Sequence, residues 1–72
     1  TDSGLTAPMP GTILEVSVKK GQRVREGQTL MVMEAMKMEH KIQAPSNGEV
    51  SQVHFQEGDR VDMGSVLIEL AD

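Results

Sequence analysis

The sequence has no cysteine, tryptophan or tyrosine, and Phe55 is its one aromatic residue. Without cysteine, neither a disulfide scaffold nor a thiolate metal site can form. The longest apolar run, residues 30–33, is far shorter than the roughly 18 residues that a membrane-spanning helix needs. No cationic and then apolar leader opens the chain, so we expect neither a secretory signal nor a membrane anchor.

Length and charge narrow the function classes further. The 72 residues fit one domain, and a chain this short buries only about 60% of the surface that its unfolded form exposes. The net charge of −4 disfavours binding to nucleic acid, whose phosphates would repel it. A chain of this length has few residues with which to line a catalytic cleft. We therefore expect a part rather than a complete catalyst. We also expect it to be monomeric when isolated, with neither nucleic acid nor membrane as a partner.

An internal repeat organises the sequence. Residues 7–34 align with residues 44–71 at an offset of 37, without a gap. The nine identical pairs are mostly glycine, proline and apolar residues: Ala7/Ala44, Pro8/Pro45, Gly11/Gly48, Val16/Val53, Gly21/Gly58, Arg23/Arg60, Val24/Val61, Gly27/Gly64 and Leu30/Leu67. Backbone geometry and burial dictate residue type at such positions. The repeat therefore predicts two similar structural halves.

Each copy is typical of strands and turns. Apolar residues alternate with polar ones after Ile13 and after Val50, which is the period of a half-buried strand. The alternation slips by one residue at the same place in both copies, and this predicts a bulge. Two glycines then flank one valine, Val24 or Val61, so we expect the chain to turn, enter the core once and turn again. Residues 30–33 and 66–70 are predicted to be inner strands.

The predicted fold is all-β: a flattened barrel, or sandwich, of two four-stranded antiparallel sheets related by a pseudo-two-fold axis. We assign residues 1–6 to a flexible linker and residues 7–72 to the domain. Residues 35–43 join the two copies. Lys37 maps by symmetry just beyond either chain end, so its turn and the termini should occupy opposite poles of the barrel.

The joining segment carries the candidate chemistry. Met36 and Met38 flank Lys37, and on an extended segment the two methionines would point to one side and the lysine to the other. If the methionines pack against the barrel, Lys37 projects from a hairpin tip. A protruding primary amine can attack an activated carboxyl group and form an amide. His40 and His54 lie on different segments without metal-ligand spacing, and we expect both to be surface strand residues.

At these residues the sequence resembles the biotinyl, or biotin carboxyl carrier, domains of biotin-dependent carboxylases and decarboxylases. The resemblance covers nearly the whole chain, and its centre is the attachment signature Glu-Ala-Met-Lys-Met at residues 34–38. The gapless first copy lacks the "thumb" insertion of the bacterial acetyl-CoA carboxylase carrier subunit. The continuation through His40 looks most like the biotin-containing subunits of acyl-CoA carboxylases, such as the methylcrotonoyl- or propionyl-CoA enzymes.

The resemblance implies a set of roles. Lys37 would carry covalent biotin, Met36 and Met38 would be read by a biotin-protein ligase, and Glu34 and Ala35 would complete the signature. A biotin carboxylase site would load a carboxyl group, and a carboxyltransferase site would pass it to an acyl-CoA or a keto acid. The domain itself would be non-catalytic, within an enzyme of the ligase class. We expect a cytoplasmic location, with the mitochondrial matrix as the alternative.

Two other functions stay open on the sequence. A lipoyl carrier domain shares the fold, the repeat and the hairpin lysine, although lipoyl hairpins typically place an acidic residue before the lysine and a small one after it. An unmodified interaction module of the same fold would use the barrel only to bind a partner, and Lys37 would then be dispensable. Glu34 and Glu39 could either be recognised by the ligase or merely solubilise the hairpin.

Overall fold

The computed structural model describes residues 2–71, with side chains from residue 4 onward. All of the regular structure in this part of the chain is β: β1 (Asp2–Thr6), β2 (Gly11–Val16), β3 (Arg23–Val24), β4 (Thr29–Ala35), β5 (Met38–Gln43), β6 (Gly48–Val53), β7 (Arg60–Val61) and β8 (Val66–Ala71). Residues 2–71 include no helix that is long and apolar enough to cross a membrane. The predicted all-β class is confirmed.

The strands form two antiparallel four-stranded sheets. The strand order is β1-β8-β6-β3 in one sheet and β5-β4-β2-β7 in the other. Advancing the first four strands by 37 residues places them on the last four, and this exchange carries one sheet onto the other. The molecule measures 32 × 17 × 17 Å along its principal axes. The predicted sandwich with internal pseudo-two-fold symmetry is therefore confirmed.

The two copies interlock through their glycine turns. The amide of Gly21 donates to the carbonyl of Val50 at 2.8 Å, and its counterpart Gly58 donates to Ile13 at the same distance. Each turn thus hydrogen-bonds to a strand of the other copy. The four turn glycines have φ angles between 84° and 92°, a region that side chains with a Cβ rarely enter: Gly21, Gly27, Gly58 and Gly64. The turns predicted from the glycine spacing are confirmed.

The core lies between the sheets and contains aliphatic and methionine side chains. Its buried members are Ala7, Ile13, Val18, Val24, Leu30, Met31, Met33, Ala35, Ala44, Val50, Val61, Leu67, Ile68 and Leu70. Val24 and Val61 enter it from their turns as predicted, with 4% and 5% of their surface exposed. The register of β2 against β4, and of β6 against β8, shifts where the apolar alternation slips. The two sheets thus enclose this core between them.

The predicted linker differs from the structure. Residues 2–6 form β1, which pairs with β8 along its whole length. By the repeat offset, β1 is the counterpart of β5, so the first strand belongs to the barrel. Both are edge strands that pair on one side alone, and the copies share no identical residue there. The repeat therefore gave no sign of β1. Thr1 of the expected linker and Asp72 of the expected domain lie outside the described residues.

Candidate functional site

The predicted acceptor lysine lies in a two-residue turn between β4 and β5. Ala35, the last residue of β4, faces Met38, the first residue of β5, so Met36 and Lys37 alone form the turn. Their φ angles are 54° and 65°. Positive φ at both central residues is the geometry of a type I′ hairpin turn, which usually contains asparagine, aspartate or glycine. The Met-Lys pair therefore adopts a conformation that its own residue types disfavour.

The hairpin tip, residues 36–38, presents three long side chains to solvent. Lys37 is exposed, Met36 has 83% of its surface exposed and Met38 has 63%. The condition considered in the sequence analysis, that the two methionines pack against the barrel, is therefore not met. Strand pairing continues as far as Ala35 and Met38, so the turn extends past the enclosed core. Lys37 still projects from the tip, but exposed apolar side chains flank it on both sides.

The base of the hairpin, in contrast, is buried and closely packed. Ala35 has 3% of its surface exposed and Met33 is fully buried. A Cβ on Gly11 would overlap the carbonyl oxygen of Glu34 and lie 2.9 Å from Met33 Cε. Glycine at residue 11 thus allows β2 to lie closer to the hairpin than a residue with a Cβ atom would allow. The sequence flagged Gly11 through its match with Gly48, but it did not reveal this role.

A row of polar residues crosses the outer face of the sheet just below the tip. Glu39 lies opposite Glu34, Glu34 opposite Thr12, and Thr12 opposite Arg60. The structure thus brings Glu34 of the signature beside a second carboxylate. Like charges directly opposite each other in a sheet are destabilising. Two exposed glutamates therefore border the amine, and neither forms an ion pair with another described residue.

His40 departs from the sequence expectation. It lies on β5 opposite the buried Met33, and it is only partly exposed. Its Nε2 atom is buried and has no hydrogen-bond partner among the described residues. His54 lies just after β6 and is exposed; its Nε2 is 2.6 Å from the Glu69 carboxylate. Neither histidine belongs to a group of His, Asp and Glu residues that could hold a metal ion within the described part of the chain.

The geometry allows one kind of chemistry at the tip. Lys37 is exposed, so its amine is accessible from solvent, and it forms no ion pair within the described part of the chain. Two clefts on the described part of the barrel, each of about 410 Å³, include no hairpin residue. Neither cleft therefore places a substrate beside the Lys37 amine. The turn therefore suits covalent modification by another enzyme, and it offers a firmly based amine on which a carboxyl-bearing cofactor such as biotin fits as an amide.

Comparison with known proteins identifies the family. A family model described as "Biotin-requiring enzyme" matches residues 3–70. The chain belongs to this family of biotin-requiring enzymes. Membership confirms the resemblance found in the sequence and the cofactor that it implied, biotin.

Individual members of the family of biotin-requiring enzymes align over most of the chain. The human mitochondrial propionyl-CoA carboxylase alpha chain is 50% identical over 70 residues, which are 97% of this chain and 10% of that protein. The biotin carboxyl carrier protein of Streptococcus mutans serotype c is 51% identical over 67 residues, which are 93% of this chain and 52% of that protein. The chain thus spans between a tenth and a half of the length of these relatives.

Solved structures agree with the fold. A single-chain, multi-domain long-chain acyl-CoA carboxylase superposes with a TM-score of 0.89 at 33% identity, over 96% of this chain and 7% of that one. The lipoyl domain of the Azotobacter vinelandii 2-oxoglutarate dehydrogenase complex superposes with a TM-score of 0.80 at 21% identity, over 94% of this chain and 96% of that one. The second likeness shows the fold alone.

Proposed function

We propose that this chain is a biotin carboxyl carrier domain with its biotin attached to Lys37. The observation that carries the proposal is the position of that amine: it projects from a two-residue turn with positive φ at both residues, on a hairpin whose base is fixed by Gly11. The residues from Glu34 to Met38 around it match the attachment signature. Of the four lysines in the chain, Lys37 is the one located in a turn between paired strands.

The chain's own residues supply reach and orientation. The lysine side chain and the valeryl chain of biotin together contain about ten single bonds, so the arm reaches roughly 15 Å. Bound biotin supplies a ureido nitrogen that accepts and releases a carboxyl group. The stiff hairpin directs the arm away from the barrel. The tether of the domain then carries it between a biotin carboxylase site and a carboxyltransferase site, at an effective concentration of order millimolar for short flexible linkers.

The biotin-protein ligase is proposed to read the exposed tip. Met36 and Met38 offer it two adaptable apolar contacts, and Glu34 adds a charge at the rim. Ala35 is buried, so its proposed contribution is to close the strand pairing beneath the turn rather than to contact the ligase. Similarity to the propionyl-CoA carboxylase chain supports an acyl-CoA as the carboxyl acceptor of the parent enzyme, with a keto acid as the alternative. We further propose a location in the cytoplasm or the mitochondrial matrix.

Two modifying enzymes separate this function from its alternatives. The purified chain is incubated with ATP and biotin plus biotin-protein ligase, and in parallel with ATP and lipoate plus lipoate ligase. We expect a mass increase of one biotinyl group in the first reaction and none in the second. Lipoylation in place of biotinylation would favour a lipoyl carrier. No modification in either reaction would favour an unmodified interaction module.

The carrier role has its own test. The biotinylated chain is added to a biotin carboxylase with ATP and radiolabelled bicarbonate, and label is measured on the chain. We expect label on the biotinylated chain and none on the unmodified chain, which serves as the matched control. Biotinylation without any transfer of label would leave the cofactor assignment standing and contradict the carrier role.

A further inference from the structure

A second surface of the barrel has features that the proposed function does not use. A cleft of about 410 Å³ is lined by Arg23, Val24, Arg25, Gln28, Asn47 and Gly48. Val24 at its floor belongs to the core, whereas the two arginines at its rim are exposed. The strand pair that borders it joins Arg23 to Glu49, and Glu49 pairs in turn with Ala71 at the end of β8. The cleft therefore lies at β3 and the start of β6, the strand next to β8, and includes no residue of the Lys37 hairpin.

The polar groups of this cleft are mainly hydrogen-bond donors. The Gln28 side-chain oxygen accepts from the amide of Arg25 at 3.0 Å, and the Asn47 side-chain oxygen accepts from the amide of Glu26 at 2.8 Å. Because a backbone N–H must face an oxygen, these bonds fix the orientation of both side-chain amides. Their oxygens are engaged, and their NH₂ groups remain available to a ligand. Together with two guanidinium groups, they form a set of donors suited to an anion.

Few carboxylates compensate these cations. Arg23 is 3.8 Å from Glu49, in a pair whose side chains are 83% and 49% exposed, and such exposed pairs contribute little. Arg25 forms no ion pair among the side chains that the structure describes. Residues 19–26 hold four cations and Glu26, a net charge of +3 on a chain whose total is −4. The turn therefore has a positive local charge on an acidic domain.

The pseudo-symmetric turn shows that the fold does not require this charge. Residues 56–63 hold Arg60 and three carboxylates, a net charge of −2. In this turn Asp62 stands at the position equivalent to Arg25. The backbone amide of Asp62 donates to the Ser65 hydroxyl at 3.2 Å, just as the backbone amide of Arg25 donates to the Gln28 side-chain oxygen. Pro10 occupies the position of Asn47. The second copy thus builds the same turn without the donor set, so folding alone does not account for that set.

We infer that this cleft binds the carboxylates of an acidic peptide segment. Arginine forks match carboxylate oxygens in two parallel hydrogen bonds, and Arg clusters are a recurrent means of recognising acidic motifs. The human propionyl-CoA carboxylase alpha chain is about ten times as long as this chain, and in a parent enzyme of that kind a tethered segment would meet the cleft at high effective concentration. That source rests on the proposed function, whereas carboxylate binding by the cleft does not. Such a contact would hold the domain by the side away from its biotinylated tip.

An NMR titration of the ¹⁵N-labelled chain tests the inference. The probe is a capped hexaglutamate peptide, with capped hexaglutamine as the neutral control at matched ionic strength. We expect saturable shifts of the Gln28 and Asn47 side-chain NH₂ signals and of the Arg25 amide with hexaglutamate alone. These signals report the cleft directly, and general attraction to an acidic chain would not select them. Absence of saturable shifts would overturn the inference.

Two charge-matched variants sharpen the result. Arg25→Asp installs the residue that the second copy tolerates, and Arg60→Asp makes the same charge change outside the cleft. Loss of the charge-assisted arginine contact should weaken hexaglutamate binding about tenfold or more in Arg25→Asp, with little change in Arg60→Asp. Equal weakening in both variants would indicate diffuse electrostatics and overturn the inference. The inference would also be overturned if inorganic phosphate shifted the same signals at a lower concentration than hexaglutamate does, because the cleft would then be a site for small anions.

A biotinylation assay separates this inference from the proposed function. We expect Arg25→Asp to accept biotin at the rate of the unaltered chain, because Arg25 is not part of the hairpin. Failure of peptide binding together with normal biotinylation would contradict the cleft alone. Failure of biotinylation in the unaltered chain would contradict the carrier function alone.

Discussion

Glu34 lies directly opposite Glu39 across β4 and β5, one residue pair below the last pair of the hairpin. Both side chains are exposed, so their repulsion is moderated by solvent but not removed. Opposite charges at these two facing positions would stabilise the sheet more than two glutamates do. The hairpin therefore retains a local energetic cost beside the amine that it presents, which the proposed recognition by a ligase would explain.

Removing one of these carboxylates should stabilise the domain. We expect Glu39→Gln to raise the free energy of unfolding by about 0.2–1 kcal/mol, because the like-charge pair is lost. The gain should shrink at high salt, since ions screen exposed charges. Urea denaturation at low and high ionic strength measures both effects. Lys41→Gln is the control, because Lys41 faces the uncharged Val32; an equal gain in the control would contradict the explanation.

Replacing Met36 by a residue that tolerates positive φ should raise the stability of the domain but weaken its recognition by the proposed ligase. Asparagine adopts positive φ more readily than methionine, so Met36→Asn should raise the free energy of unfolding by about 1 kcal/mol. The same change removes an apolar contact for the ligase, and biotinylation should become slower. Thermal unfolding and a ligase time course measure the two effects.

A second exposed methionine provides the control for that variant. Met63 has 71% of its surface exposed and is not among the described residues with positive φ. Met63→Asn should therefore bring no such stabilisation. If Met36→Asn lowered stability, or if both variants gained equally, strain in the turn would not be the reason.

The two turn valines should be essential for folding. Val24→Asp or Val61→Asp would bury an unpaired carboxylate in a small core, at a cost of about 3–5 kcal/mol. That is comparable with the whole stability of a small domain, so we expect either variant to be largely unfolded by circular dichroism. Val66, which is 40% exposed, is the control, and Val66→Asp should keep most of the stability. An unchanged melting temperature in Val24→Asp or Val61→Asp would show that these turns do not anchor the core.

The parts of the fold that the sequence predicted are those in which one residue type is strongly selected. Positive φ selects glycine, so Gly21 and its three counterparts marked the turns. Burial between two sheets selects apolar residues, so residues 30–33 marked an inner strand. The edge strands β1 and β5 have one paired side each. Their residues are less constrained and have diverged between the copies, so β1 was assigned to a linker.

At the site, the sequence located the lysine but did not predict that the side chains of Met36 and Met38 are exposed. The Glu-Ala-Met-Lys-Met segment identified Lys37 as the acceptor candidate, and the hairpin is consistent with that role. The direction of Met36 and Met38 depends on where strand pairing stops, which is at Ala35 and Met38 and which alternation alone cannot give. The burial of His40 Nε2 depends on the depth of β5 along the barrel. That depth is set by the register of the whole sheet rather than by neighbouring residues.

The central claim is tested most directly by locating biotin on the chain. The chain and its Lys37→Arg and Lys41→Arg variants are incubated with biotin-protein ligase, ATP and biotin, and each is analysed by intact mass and peptide fragmentation. We predict one biotinyl group on the unaltered chain, at Lys37, one on Lys41→Arg, and none on Lys37→Arg. Biotin on any other lysine, or a Lys37→Arg variant that is still modified, would contradict the account.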